Sequence, residues 1–218
     1  MKTDVELKKD VVEELAWDPA INPTAVGVAV KDGVVTLTGH LDSYGEKFAI
    51  ERALRRVAGV KAIALELDVK LSPQHKRSDT EIAAAAEAVL SAANFGGFAD
   101  NILLKVENGW VWLNGEVDWN FQRKAVEAIV RPLRGVVGLS DEITIRHRPT
   151  RADLGARIES ALKRQAVREA HRIDISVEGN TVTLRGKVHC WQERDAAEGV
   201  AWSAPGVRCV VNEVQIGA

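Results

Sequence analysis

The chain has 218 residues, 46% of them hydrophobic and 28% charged, a composition that excludes a disordered tail and a disulfide-held miniprotein. Its 29 Lys and Arg against 31 Asp and Glu leave a net charge of −2, so no global positive field argues for nucleic acid. Two cysteines, Cys190 and Cys209, make no disulfide framework and cannot complete a tetrahedral zinc site.

The N-terminus, Met1 to Lys9, interleaves charges throughout and leaves no room for an apolar export core. No stretch approaches the ~20 apolar residues of a membrane span. As written the chain reads as cytoplasmic, and as periplasmic only if an export signal was removed.

Thr3, with Glu6 three residues on, forms a capping box, and Leu7, Val11 and Leu15 follow at helical spacing. Val26, Val28 and Val30 then alternate as in a half-buried strand. Asp32-Gly33 predicts a tight hairpin turn, and Val35, Leu37 and Leu41 predict a second strand. Gly39 falls on its inward face, where a missing side chain lets a helix approach. Ser43 and Glu46 open a second helix with an apolar stripe of Ala49, Ala53, Leu54 and Val57. Gly59 sits at the expected helix end, and a third strand runs from Val60 to Val69.

This order, α-β-β-α-β, occurs three times. The block Val30 to Gly39 matches Val106 to Gly115 and Val177 to Gly186. A Gly-Val pair follows each block, and its glycine, Gly59, Gly135 or Gly206, lies 20 residues after the first. The units span 1–72, 78–146 and 150–218, joined by the short Pro-containing segments Ser72 to Arg77 and His147 to Pro149. The second helices of units two and three carry stripes of Ala125, Ile129, Val130 and Leu133, and of Ala196, Val200, Ala201 and Ala204. Their third strands run from Val136 to Ile145 and from Val207 to Ile216. Unit three departs at its turn, which reads Gly179-Asn180. The fold class is α+β, each unit a three-stranded mixed sheet with two helices on one face and a core of its own. A helix joins strands two and three, which makes them parallel.

The order, the turn glycine, the strand-end glycines Gly39, Gly115 and Gly186, and the pairs Gly59-Val60, Gly135-Val136 and Gly206-Val207 resemble the BON domain (bacterial OsmY and nodulation domain) in three tandem copies. The resemblance implies a bacterial envelope or osmotic-stress protein that binds phospholipid and is transport-associated. It implies structural glycines and no catalytic residue.

Nothing in the chain assembles a nucleophile, a base and an orienting group. No Walker loop, GxGxxG or GxSxG is present, and the five histidines make no metal pair at i, i+4. Gly135 to Gly138 spells the GxxG of a nucleic-acid-binding KH loop but leads into a strand rather than joining helices. The reading is therefore no enzyme, no cofactor, no metal, no nucleic acid and no small-molecule substrate.

Two surfaces stand out. By strand parity Leu103, Trp110 and Trp112 point away from the helices of unit two, where unit three has Asp174, Thr181 and Thr183. The pair of indoles predicts an interaction face more than half buried by unit one or unit three. The first helix of unit three carries Arg157, Lys163, Arg164, Arg168 and Arg172, with His171 nearby and Glu159 and Glu169 opposing. That ridge is a candidate for anionic headgroups. The functional expectation is a non-enzymatic binding or scaffolding protein that docks a phospholipid surface or an envelope partner. The alternative is a cytoplasmic protein–protein adaptor using the unit-two sheet face.

Overall fold

A computed structural model describes residues 2–93, 97, 101–146, 153–164 and 173–217, with the side chain of Lys163 left aside. Unit one holds α1 (Asp4–Trp17), β1 (Val26–Lys31), β2 (Val34–Leu41), α2 (Tyr44–Arg56) and β3 (Ala62–Val69). Unit two holds α3 (Asp79–Ala92), β4 (Ile102–Glu107), β5 (Trp110–Val117), α4 (Asn120–Val130) and β6 (Gly138–Ile145). Unit three holds α5 (Leu154–Arg164), β7 (Ile173–Glu178), β8 (Thr181–Val188), α6 (Trp191–Trp202) and β9 (Cys209–Ile216).

The capping boxes form as read. The Thr3 hydroxyl accepts from the Glu6 N–H at 3.3 Å and the Glu6 carboxylate accepts from the Thr3 N–H at 2.8 Å; Ser78 and Glu81 repeat both bonds. Ser43 caps α2, but Glu46 turns inward instead of reaching back. It lies buried and accepts from the Asn22 and Asp42 N–H groups, which ties the loop before β1 to the start of α2. The Thr150 cap lies outside the described residues.

Each sheet has three strands in sequence order, the first pair antiparallel and the second parallel. Three hydrophobic clusters form, one per unit. In unit one, Val35, Leu37 and Leu41 share a cluster with Leu7, Val11, Ile50 and Leu54, which places both helices on the same face of the sheet. The hairpin turns of units one and two hold positive φ at both central residues, Asp32-Gly33 and Asn108-Gly109. The first-turn aspartates of α1 and α3 accept from both N–H groups of those turns, at 2.8–3.0 Å. Unit three has Arg151 at that sequence position, and its turn takes positive φ at Gly179 alone.

Three details correct the sequence reading. The third strands start two residues late, because Val60, Val136 and Val207 are core residues of the preceding turn. The stripes of the second helices include Ile50, Val126 and Ala197, all fully buried, whereas Ala196 is exposed. The strand-end glycines do not make room for a helix. Gly39 and Gly115 have φ near +148° and +147°, and a Cβ there would run into the carbonyl oxygens of Ala25 and Asn101 at the start of the neighbouring strand. The glycines of the Gly-Val pairs likewise sit beyond the helix ends, in the turn toward the third strand. A Cβ on Gly135 would meet Arg77 and Ile82 at 2.8 Å.

The units close head to tail around α2, α4 and α6. The start of α2 meets the end of α4, with Phe48 under the Arg131 guanidinium at 3.5 Å and Tyr44 packed on the unit-two core. Burial pushes the Tyr44 hydroxyl pKa up. The start of α4 meets the end of α6, with Arg123 stacked 5.0 Å from the Trp202 ring. The start of α6 meets the end of α2. There Trp191 packs on the unit-one core between Arg55 and Arg194, and Arg55 pairs with Asp195 at 3.1 Å. Glu51, Glu127 and Glu198 occupy equivalent positions, each bonded one turn on, to Arg55, Arg131 and Trp202. Burial raises the Glu127 carboxyl, but Lys124 and Arg131 outweigh it and hold that pKa below the usual value.

Candidate functional site

The three first helices share an outward ridge, and each fills it differently. In α1 the ridge is Asp10, Glu13 and Trp17; in α3 it is Ala85, Ala88 and Ala92; in α5 it is Arg157, Ser160 and Arg164. The α5 helix is fixed from below by Leu154, Ile158 and Leu162, each 0–1% exposed, so its other side must face out. Arg157 and Arg164 are both exposed and lie two turns apart. Among the described residues neither has an ion-pair partner.

Beside them runs a groove of about 640 Å³ between α5 and the end of α6. Its floor is apolar, formed by Ile158, Ala161, Val200 and Ala204, and Arg157 and Arg164 form its rim. The Ser160 hydroxyl donates to the Ala156 carbonyl at 2.8 Å, which leaves its oxygen free to accept. The arrangement can hold an anionic group on two guanidinium forks while an apolar moiety lies in the groove. Of the remaining ridge residues, Lys163 lies in α5 with its side chain undescribed, and Arg168 and Arg172 lie outside the described residues, as do His171 and Glu169.

The equivalent groove in unit one, about 430 Å³, is lined by Asp10, Glu13, Glu14, Trp17 and Arg56. Its carboxylates are interlaced with cations: Lys2 with Asp10 at 2.5 Å, Arg56 with Glu14 at 2.7 Å and Lys9 with Glu13 at 3.7 Å. The indole of Trp17 is 83% exposed.

The sheet face of unit two is as parity placed it. Val111 and Leu113 are fully buried, while Leu103 is 71% and Trp110 41% exposed and Trp112 is half-buried. The cover differs from expectation. Trp110 lies flat over Gly138 of β6 and its indole N–H donates to the Ser140 hydroxyl at 2.9 Å. The Lys105 ammonium caps the Trp112 ring at 4.8 Å. The contacts come from unit two's own strands rather than from unit one or unit three. The absence of a side chain at Gly138, where units one and three have Ala62 and Cys209, is the signal that could have shown this.

The sequence reading missed the aromatic joints. Their signal is the constant Glu at 51, 127 and 198, four residues before Arg55, Arg131 and Trp202. Among the described residues no group of three His, Cys, Asp or Glu is placed to hold a metal ion, and no helix is long and apolar enough to cross a membrane. Cys190 and Cys209 are both free thiols.

Among solved structures, the chain is similar to the C-terminal domain of CdsD, a structural protein of the Type III secretion system of Chlamydia trachomatis. That match has 14% identity over all of both chains and a TM-score of 0.26. A second CdsD structure is 16% identical over 96% of this chain and 91% of its own, with a TM-score of 0.24. No curated protein matches the sequence. The model of the BON domain matches residues 3–70, 78–147 and 150–218, so the chain belongs to the BON domain family, with three copies in tandem.

Proposed function

We propose that this protein is a non-enzymatic binding and scaffolding module that docks anionic phospholipid through unit three, in the envelope and stress setting associated with its family. One observation carries the reading: Arg157 and Arg164 stand exposed on the rim of an apolar-floored groove, with no ion-pair partner among the described residues. Near a charged membrane surface each basic side chain adds about 1 kcal/mol of attraction, which salt screens within a Debye length. The groove supplies the apolar complement that a headgroup ridge alone lacks. The ring of joints holds the three units as one body, so the ridge is presented on a fixed support.

The test is flotation of the full chain with phosphatidylglycerol-containing and with pure phosphatidylcholine vesicles, at low and high salt. The expected result is co-flotation with the anionic vesicles alone, lost at high salt. The double variant Arg157→Gln, Arg164→Gln should lower binding by about tenfold or more, two charges at roughly 1 kcal/mol each, with an unchanged circular dichroism spectrum. Equal binding of the variant and the parent would overturn the reading.

A further inference from the structure

The acidic ridge of α1 is the counterpart of the basic ridge of α5 in charge and in spacing. Glu6 and Glu13 lie seven residues apart on one exposed side of α1, with Asp10 between them; Arg157 and Arg164 lie seven residues apart on α5. Seven residues are about two turns, or roughly 10.5 Å along the axis, in both helices. Asp153, just ahead of α5, places a carboxylate at the N-terminal end of that ridge. On α1 the Glu6 carboxylate already accepts from the Thr3 N–H at 2.8 Å and Asp10 pairs with Lys2 at 2.5 Å, whereas Lys9 and Glu13 meet at 3.7 Å with side chains 74% and 66% exposed, a geometry that leaves Glu13 the most available of the three. Trp17 adds shape to the charge. Its indole stands at the C-terminal end of the acidic ridge, and an aromatic so exposed is a common anchor for a partner.

Within one chain α1 packs on β1 and α2 of unit one, and α5 packs on β7 and α6 of unit three. The units join through α2, α4 and α6, so α1 and α5 face outward from different units. We propose that a second copy of this chain is the occupant of the α5 groove. Its α1 lies antiparallel on α5, with Glu13 across from Arg157, Glu6 across from Arg164, and Trp17 in the groove at its Leu154 end. The antiparallel sense also sets the negative end of one helix dipole beside the positive end of the other. The contact is heterologous, knob on one copy and seat on the next, so each bound copy offers a further knob and a further seat. The proposal shares Arg157 and Arg164 with the phospholipid reading but stands without it. A seated copy covers the arginines, so self-association and lipid docking exclude one another.

Sedimentation velocity of the full chain over a hundredfold range of concentration, at low and high salt, tests it. The expected result is a mass that rises with concentration at low salt and falls back at high salt. Trp17→Ser removes the knob, and Arg157→Glu with Arg164→Glu removes the seat; each should weaken association by at least about tenfold while the fold is kept. Mixing the two variants is the decisive arm. The first retains a seat and the second a knob, so the mixture should form a one-to-one pair and nothing larger. A parent that stays monomeric throughout, variants that associate like the parent, or a mixture that stays monomeric would each overturn the proposal. Anionic vesicles keep the two readings apart: Trp17→Ser retains both arginines and should float as the parent does. A monomeric parent that still floats sinks the self-association and leaves lipid docking intact.

Discussion

Units one and three carry one groove in two chemistries. In each it lies between the first and second helices, over Ile158, Ala161, Val200 and Ala204 in unit three and beside Val57 and Ala58 in unit one. In unit one Asp10, Glu13 and Glu14 line it among Lys2 and Arg56, and in unit three Arg157 and Arg164 rim it with no described counter-charge. The frames beneath are nearly superposable in sequence: Leu7, Val11 and Leu15 against Leu154, Ile158 and Leu162, all buried. The difference teaches where this fold is constrained and where it is free. Side chains pointing into the sheet are fixed by packing density, and glycines by backbone collisions. The outward ridge answers only to solvent and partners, so repeats that keep one frame can acquire opposite surfaces.

The most damaging way to probe the shared frame is Gly39→Val. A β-branched side chain at φ +148° would be strained whatever the space, and here it also meets the Ala25 carbonyl oxygen. We expect a loss of about 3 kcal/mol or more, read as a lower urea midpoint. Stability equal to the parent would show that β1 can shift away, and that the glycine frame is not what units one and three hold in common.

The order of the elements, the parity of the strands and the triple repeat were legible in the sequence because each follows from a local period. Alternation at Val26, Val28 and Val30 places one face inward whatever surrounds it. The reason for Gly39 was not legible, since the close approach of Ala25 depends on where β1 begins. The site was half legible. Arg157 and Arg164 could be read as a ridge from their spacing, but the apolar groove beside them is built from Val200 and Ala204, some forty residues away. The cover of Trp110 turned on a glycine across a parallel strand pair, which no single-strand pattern reveals. The joints were hidden because they pair residues of different repeats: Arg55 and Asp195 are 140 positions apart.

Units one and three also touch, and that contact separates their identities from their cooperation. Trp191→Ala withdraws the indole that unit three inserts between Arg55 and Arg194 against the unit-one core. Because the ring is only partly buried, the expected cost is about 2 kcal/mol, below the range for a fully buried Trp. The readout is the shape of the thermal transition. With this joint broken the ring opens between units one and three while unit three stays tied to unit two through Arg123 and Trp202, so the transition should move to lower temperature and broaden. A transition whose midpoint moves by less than about 0.5 kcal/mol and whose width is unchanged would show that the Trp191 joint adds nothing.

The smallest effect tests a feature that units one and two share. The Thr3 and Ser78 backbone N–H groups and hydroxyls, bonded to Glu6 and Glu81, hold both carboxyls below the usual value of 4.5. A carboxyl whose pKa is lower folded than unfolded binds its proton more readily in the unfolded chain. Its contribution is therefore fully present above the unfolded value, about pH 4.5, and fades as the pH falls through the lowered folded value. Glu81→Gln keeps an acceptor for the Ser78 N–H but carries no titrating proton. The parent and the variant should differ slightly in melting temperature at pH 7. That difference should shrink as the pH falls below about 4.5 and the parent loses its charge-dependent share. The exposed setting keeps the change small, so it is read as the difference between two pH–stability curves rather than from either alone. Parallel curves through that window would show that the cap is held by geometry only, and that the carboxylate's charge has no part in starting α3.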